Sequence, residues 1–222
     1  MSTQFGAYMN PLVRIITACA LLGLAAGPLT AQATTLAALT PDQMVDAADD
    51  VVEGTVLSVA PWQDESGRVW TRAQVRVDRS LKGAVARTQV ITVEAPGGVT
   101  DDGVVTQVPL APRYSVDERV FLYLSAKRHG TMFGTIGMVM GKFTIRQNPA
   151  DGSDMIVRFT LPAAATYDAR FIPHPAVADR VSLAATEAAV AARIDLGWDG
   201  QPIPGISADR LREINKLQAG VK

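Results

Sequence analysis

The chain has 222 residues and carries 21 Lys and Arg against 22 Asp and Glu, so its formal net charge is −1. This near-neutral balance argues against the basic surface with which proteins bind nucleic acids. The single cysteine excludes an intramolecular disulfide framework and a cysteine-based zinc site. A chain of this length can instead bury a hydrophobic core of its own.

The first 33 residues have the three regions of a cleavable secretory signal. Arg14 is the only charged residue among them, an apolar run covers residues 15–26, and the small residues of Ala31-Gln32-Ala33 suit a signal peptidase. We therefore place cleavage between Ala33 and Thr34 and expect a periplasmic or secreted protein. The apolar run is shorter than the roughly 20 residues of a transmembrane helix, so no membrane span is expected after the signal is removed.

Two alternatives concern this signal. Met9 would also serve as the start site, because residues 9–33 form a complete signal by themselves. Residues 16–19 resemble a lipid-attachment sequence, but the apolar run follows Cys19 rather than preceding it, which disfavours lipidation. Because Cys19 leaves with the signal, the mature domain would have no disulfide and no thiol nucleophile.

A short helix is predicted over residues 41–48. Thr40 is a favourable N-cap, Pro41 suits the first helical position, and Gln43 completes a capping box. Beyond this helix the apolar residues alternate as in β-strands. The alternation predicts strands over residues 51–59, 69–77, 89–94, 119–124, 133–140, 142–146 and 154–160.

Glycine and polar residues indicate how these strands turn and bend. Residues 64–67 predict the first hairpin loop, and residues 148–152 predict a hairpin between the last two strands. Gly54 predicts a bulge, because glycine is costly inside a regular strand. With such a bulge, Leu57 and Val59 would face the same interior as the apolar residues before it.

The chain then divides into four predicted segments. These are the signal at residues 1–33, a β-barrel domain at 34–160, an Ala- and Pro-rich excursion or linker at 161–205, and a C-terminal helix at 206–222. The alanine-rich run within the third segment is expected to be partly helical. Ser207 is a suitable N-cap for the last helix, whose apolar face is expected to dock on the barrel.

A set of motifs carries a resemblance to known proteins. They lie at residues 47–59, 81–83, 96–98, 118–124, 137–138 and 141–143. Their order resembles a group of uncharacterised exported bacterial proteins and, more distantly, the OB-like barrel of netrin-like modules and tissue inhibitors of metalloproteinases. The resemblance implies a partly open Greek-key barrel. It does not extend to the inhibitors' mechanism, which uses an amino-terminal disulfide-bonded cysteine that the mature chain lacks.

The predicted fold class is therefore mainly β, an OB-like barrel of five to six strands with a short N-terminal helix and a C-terminal docking helix. In such barrels the first loop and the second and third strands commonly bind ligands. Trp62, Trp70 and Arg72 lie there, and we select them as a partner-binding site because tryptophan and arginine are typical interface anchors. The alternative is that the two tryptophans only cover the barrel mouth.

Catalytic, cofactor and metal motifs are not indicated. His129 and His174 have no ligand spacing, and the chain has neither a nucleophile elbow nor a phosphate-binding glycine loop. We expect no cofactor and no metal, and no catalysis is evident from the motifs. Met138 and Met140 would suit a Cu(I) site if they lay two apart on a strand, but core packing is the favoured interpretation.

These observations favour an exported binding module for a protein or peptide partner. Two alternatives stay open. One is an exported hydrolase that uses carboxylates from the loop at residues 99–116 together with Asp151 and Asp154. The other is a structural protein of the cell envelope, which would expose a large apolar patch or a strand edge.

Overall fold

The computed structural model describes residues 36–128, 132–158, 166–167, 173–174 and 180–219. The predicted signal, its cleavage site at Ala33 and Thr34, and His129 lie outside these residues. The described elements, in chain order, are β1 (Leu36–Ala37), α1 (Pro41–Ala47), β2 (Asp50–Gln63), β3 (Val69–Lys82), β4 (Val90–Pro96), β5 (Gly98–Val99), β6 (Val105–Thr106), β7 (Arg119–Arg128), β8 (Met132–Thr135), a 3-10 helix (Met138–Gly141), β9 (Lys142–Gln147), β10 (Asp154–Val157), β11 (Thr166–Tyr167), β12 (Pro173–His174), β13 (Arg180–Ser182), α2 (Leu183–Leu196) and α3 (Ala208–Ala219).

Five of these strands form a ring. The order around it is β7, β2, β3, β4 and β8, and β8 closes the ring on β7. All neighbours are antiparallel except β4 and β8, which are parallel and joined through the single residue pair Val93 and Phe133. The barrel is therefore only partly closed. The predicted mainly β, OB-like fold with a short N-terminal helix and a C-terminal helix is confirmed.

Strand β7 belongs to two hydrophobic cores. Besides its place in the ring, it pairs with β9, and the sheet continues from there through β10 to β13. Val120, Leu122 and Leu124 lie in the barrel core, whereas Phe121 and Tyr123 lie in a second core beneath the helices. A strand buried on both faces is a continuous apolar run, which is the pattern that predicted it.

Helix α1 begins as the sequence predicts. The Thr40 hydroxyl accepts a hydrogen bond from the Gln43 N–H at 3.2 Å, and the Gln43 side chain accepts one from the Thr40 N–H at 3.0 Å. The helix ends at Ala47 and buries Met44 and Val45 in the second core. Local hydrogen bonding thus decides where this helix starts, and burial of one face holds it in place.

Two further helices cover the second core. The alanine-rich run lies within α2, which begins after Ser182 and buries Leu183 and Val190. Helix α3 begins after Ser207, whose hydroxyl accepts a hydrogen bond from the Arg210 N–H at 3.2 Å, and it buries Ile214. Alanine has the highest helix propensity, which explains why the run within the predicted excursion is helical.

The bulge at Gly54 is confirmed by a register shift between Glu53 and Gly54. A Cβ at Gly54 would lie 2.5 Å from the Arg76 carbonyl oxygen and 2.6 Å from Val75 Cγ1. These distances are too short for any side chain, because real Cβ atoms essentially never approach so closely. Glycine at position 54 therefore lets β3 lie this close to β2 at the bulge.

A second bulge, between Val56 and Ser58, changes which residues face inward. Val56 is fully buried and Val59 packs against the barrel core, whereas Leu57 is 40% exposed. The expectation that Leu57 faces the interior is wrong. The alternation of side chains reverses at Leu57 itself, where the extra residue of the bulge lies.

The predicted strand at residues 133–140 is also wrong in its second half. Strand β8 ends at Thr135, after which Gly137 and Met138 both have a φ of 57° and a 3-10 turn follows. An apolar run of this length does not by itself distinguish a strand from other buried structure. Met138 and Met140 therefore do not lie two apart on a strand, and Met140 is buried in the second core.

Candidate functional site

The three residues selected from the sequence come together on the outer face of the β2–β3 hairpin. Trp62 lies directly opposite Trp70 in the hairpin register, and Ala60 lies opposite Arg72. The Arg72 guanidinium carbon is 3.7 Å from the centroid of the Trp62 ring. This is a close cation–π contact. The strand register of the hairpin thus brings the side chains of Trp62, Trp70 and Arg72 together on one face.

Glu94 holds one end of this group. It lies on β4 and accepts a hydrogen bond from Arg72 Nε at 3.0 Å. The Glu94 side chain is completely buried, whereas the Arg72 side chain is 29% exposed. Because a buried carboxylate requires a paired cation, this contact restricts Arg72 to the position above the Trp62 ring.

Asp64 holds the other end. It lies in the hairpin loop, and its Oδ2 accepts hydrogen bonds from Arg68 Nε at 2.7 Å and from Trp70 Nε1 at 3.2 Å. Its Oδ1 accepts three more, from the Ser66 hydroxyl and from the N–H groups of Ser66 and Arg68. These bonds, the one from the Ser66 hydroxyl foremost, hold the pKa of Asp64 well below its usual range. The ionised Asp64 therefore orients both the loop and the Trp70 ring.

Arg68 completes the group, because its guanidinium carbon lies 5.9 Å from the centroid of the Trp70 ring. We call Trp62, Arg68, Trp70 and Arg72 the tryptophan–arginine surface. Both indole rings are half-buried. Each indole thus contacts one guanidinium, and each guanidinium is bonded to a carboxylate of the same chain.

Exposed apolar residues lie at the same end of the barrel. The β5–β6 hairpin begins beside β3, since a Cβ at Gly98 would lie 3.5 Å from the Trp70 carbonyl oxygen. In this hairpin Val99, Val104 and Val105 are 55%, 53% and 67% exposed. Contiguous exposed apolar residues commonly mark interaction sites. The hairpin packs against the side chains of Thr71 and Val69, so it adds apolar area on the face of β3 opposite to Trp70 and Arg72.

A cleft of about 510 Å³ lies elsewhere, between the loop at residues 107–118 and strand β9. Residues of that loop, the 3-10 helix, β9 and β10 line it: Gln107, Val108, Pro109, Leu110, Ala111, Arg113, Ser115, Glu118, Val139, Lys142, Thr144, Arg146 and Val157. The sequence predicted the loop at residues 99–116 only as a source of carboxylates for the hydrolase alternative, and none of the residues that line this cleft was selected from it. The overlooked signal is the polar alternation of Lys142, Thr144 and Arg146 along β9.

Lys142 is the buried cation of the cleft. Its ammonium donates hydrogen bonds to Glu118 and, at 3.1 Å, to the Thr144 hydroxyl, which in turn donates to Glu118. Only 9% of the Lys142 side chain is exposed. Burial lowers the pKa of Lys142, while the hydrogen bond and charge of Glu118 oppose that change. The ion pair thus compensates part of the cost of burying the ammonium.

The carboxylates of the hydrolase alternative are not gathered in this cleft. Asp102 accepts a hydrogen bond from the Thr100 hydroxyl in its own turn, and Asp151 accepts one from the Ser153 hydroxyl at 2.7 Å. Asp154 is bound by Arg119 through hydrogen bonds of 3.0 and 2.7 Å. Among the described residues that line the cleft, Glu118 is the only carboxylate.

In the described part of the chain, no three His, Cys, Asp or Glu side chains are close enough together to hold a metal ion. None of the helices described there has both the length and the apolar composition that crossing a membrane requires. Strand β12 contains His174, the second histidine of the predicted mature chain.

No family model matches the chain, and neither does any curated protein. The resemblance to exported OB-like proteins and to netrin-like modules therefore stays a prediction. The evidence for the barrel is the strand pairing observed in this chain. Because one fold serves many functions, the function of this chain depends on its two sites, the tryptophan–arginine surface and the cleft beside β9.

Proposed function

We propose that the protein is an exported binding module that recognises a protein or peptide partner through the tryptophan–arginine surface. The observation that supports this proposal most is the arrangement of Trp62, Trp70 and Arg72, which Glu94 and Asp64 hold in position. Side chains that are already ordered lose little conformational entropy when a partner binds. Tryptophan and arginine are also the residues that most often dominate the energy of protein interfaces.

The shape of the surface favours a protein or peptide over a small molecule. It lies on the outer face of a hairpin rather than in a cavity. Small molecules usually bind in concave sites that cover most of their surface. A broad surface with aromatic anchors is instead typical of protein interfaces. The predicted signal supports an encounter in the cell envelope or outside the cell.

The proposal is tested by site-specific photo-crosslinking in envelope extract. Residues 34–222 form one structural unit and are the material of choice. A photoreactive residue at the exposed position Ala60, opposite Arg72, is expected to capture a partner that the same residue at Ala86 does not. The captured partner is then purified and its affinity is measured by calorimetry.

Substitutions then show which side chains contribute to the affinity for this partner. Trp62→Ala and Trp70→Ala are each expected to lower the affinity for the captured partner about tenfold or more, as substitution of an interface anchor does. Arg72→Ala is compared with Arg76→Ala, because Arg76 lies on the same strand and face but outside the surface. If all four variants bind equally well, or if Ala60 and Ala86 capture the same proteins, this surface is not the binding site.

A further inference from the structure

Hydrogen bonds within the chain fix the loop that forms one wall of the cleft beside β9. The Leu110 carbonyl oxygen accepts a hydrogen bond from the Val139 N–H at 3.1 Å, which ties the loop to the 3-10 helix. The Ser115 N–H donates to Glu118 at 3.1 Å, which ties the end of the same loop to the Lys142 ion pair. The cleft is therefore preformed, as small-molecule sites usually are, and its volume lies in their usual range.

The cleft has an apolar part and a cationic part. Its apolar walls are formed by Val108, Pro109, Leu110, Ala111, Val139 and Val157. Its basic residues are Arg113, Lys142 and Arg146, against the single carboxylate of Glu118. The lining thus carries a net charge of +2, although the whole chain carries −1.

The Glu118 carboxylate is paired with Lys142, so these two opposite charges offset each other within the cleft. Lys142 and Thr144 donate to one of its oxygens, and the Ser115 N–H donates to the other. Arg113 and Arg146 supply the additional positive charge next to the apolar walls. Guanidinium groups bind carboxylate and phosphate well, because their donors match the geometry of these anions.

We propose that this cleft binds a small amphiphile with one anionic head, a carboxylate or a phosphate monoester, and a short apolar tail. The head lies next to Arg113, Lys142 and Arg146, and the tail lies along the walls of the loop and β10. This site is separate from the tryptophan–arginine surface, so a negative result for one proposal does not affect the other.

The test uses octanoate, octyl phosphate, octanol and acetate as probes, with affinities measured by calorimetry at low salt. Octanoate, octyl phosphate or both are expected to bind about tenfold or more tightly than octanol, which lacks the charge, and acetate, which lacks the tail. Arg113→Gln is expected to lower the affinity for the anion about tenfold, and added salt is expected to lower it further. Arg76→Gln serves as the matched control, since Arg76 lies outside the cleft.

A variant of Lys142 alone would be ambiguous, because it leaves Glu118 buried without its cation and so destabilises the fold as well as the cleft. Arg113 is exposed on the loop, so its variant retains that ion pair. Methyl NMR shifts of Leu110, Val139 and Val157 on adding the anion locate the site. The proposal is overturned if both anions bind more weakly than about 1 mM, if octanol binds as tightly as they do, or if Arg113→Gln has no effect.

Discussion

Among the contacts of the described residues, the ion pair between Asp46 and Arg193 is the one whose removal we expect to lower the free energy of unfolding most. Asp46 on α1 is 4% exposed, and the Arg193 side chain on α2 is 12% exposed. Arg193 Nε donates to both oxygens of Asp46, at 3.0 and 3.2 Å, and Nη2 donates at 2.6 Å. The hydrogen bond with Asp46 is the main reason that the pKa of Arg193 is raised. The pair joins two of the helices that cover the second core.

Asp46→Asn removes the negative charge while nearly preserving the volume of the side chain. Breaking a buried pair on one side costs roughly 3–5 kcal/mol, because the remaining charge is left buried. Asp199 lies 3.7 Å from Arg193 and is more than half exposed, so it compensates part of the loss. Asp46 also opposes the lowering of the Lys82 pKa by burial, and that support is lost as well. We therefore expect a decrease of about 3 kcal/mol in the free energy of unfolding.

The measurement is urea unfolding at neutral pH, followed by circular dichroism and fluorescence. The control is Asp209→Asn, whose partner Arg212 is largely exposed, and it should cost less than about 1 kcal/mol. Replacing both members of the buried pair, as in Asp46→Asn with Arg193→Met, should restore part of the stability. A loss for Asp46→Asn as small as that of the control would refute the reasoning.

Three further predictions concern stability and are measured by the same unfolding assay. Burial, with Glu187 beside it, raises the pKa of Glu53 to about 7 from 4.5. The folded state therefore holds a proton that the unfolded state has released, so stability should fall between pH 4.5 and about 7, by at most about 3 kcal/mol. The lowered pKa of Glu187 makes stability rise with pH mainly below pH 4.5, outside this window. Glu53→Gln should flatten the fall, and an unchanged slope would contradict the assignment. Gly54→Ala should cost roughly 1–3 kcal/mol, because its Cβ has no room beside β3, and a neutral result would mean that the bulge relaxes at no cost. Thr40→Ala should cost about 1 kcal/mol through loss of the capping box, unless another group caps α1.

Features that depend on neighbouring residues could be predicted from the sequence. The starts of α1 and α3 follow from the hydroxyls of Thr40 and Ser207, which bond N–H groups three residues ahead. Trp62 and Trp70 could be paired because a short loop joins their strands, and strand register then places them opposite each other. These features are local, since the partners are close in the chain before any tertiary structure forms.

Other features were decided only by the tertiary structure. Asp46 and Arg193 are 147 residues apart, and Glu118 and Lys142 are 24 residues apart, so no local pattern pairs them. The outward position of Leu57 depends on the bulge between Val56 and Ser58 in the pairing of β2 with β3, which the alternation of β2 alone does not specify. The sequence by itself, through its strand pattern and the resemblance that its motifs carry, predicted the OB-like barrel and three of the four residues of the tryptophan–arginine surface, all but Arg68. The buried ion pairs and the cationic cleft exist only because folding brings distant strands and helices together, where low polarity makes each charge depend on a specific partner.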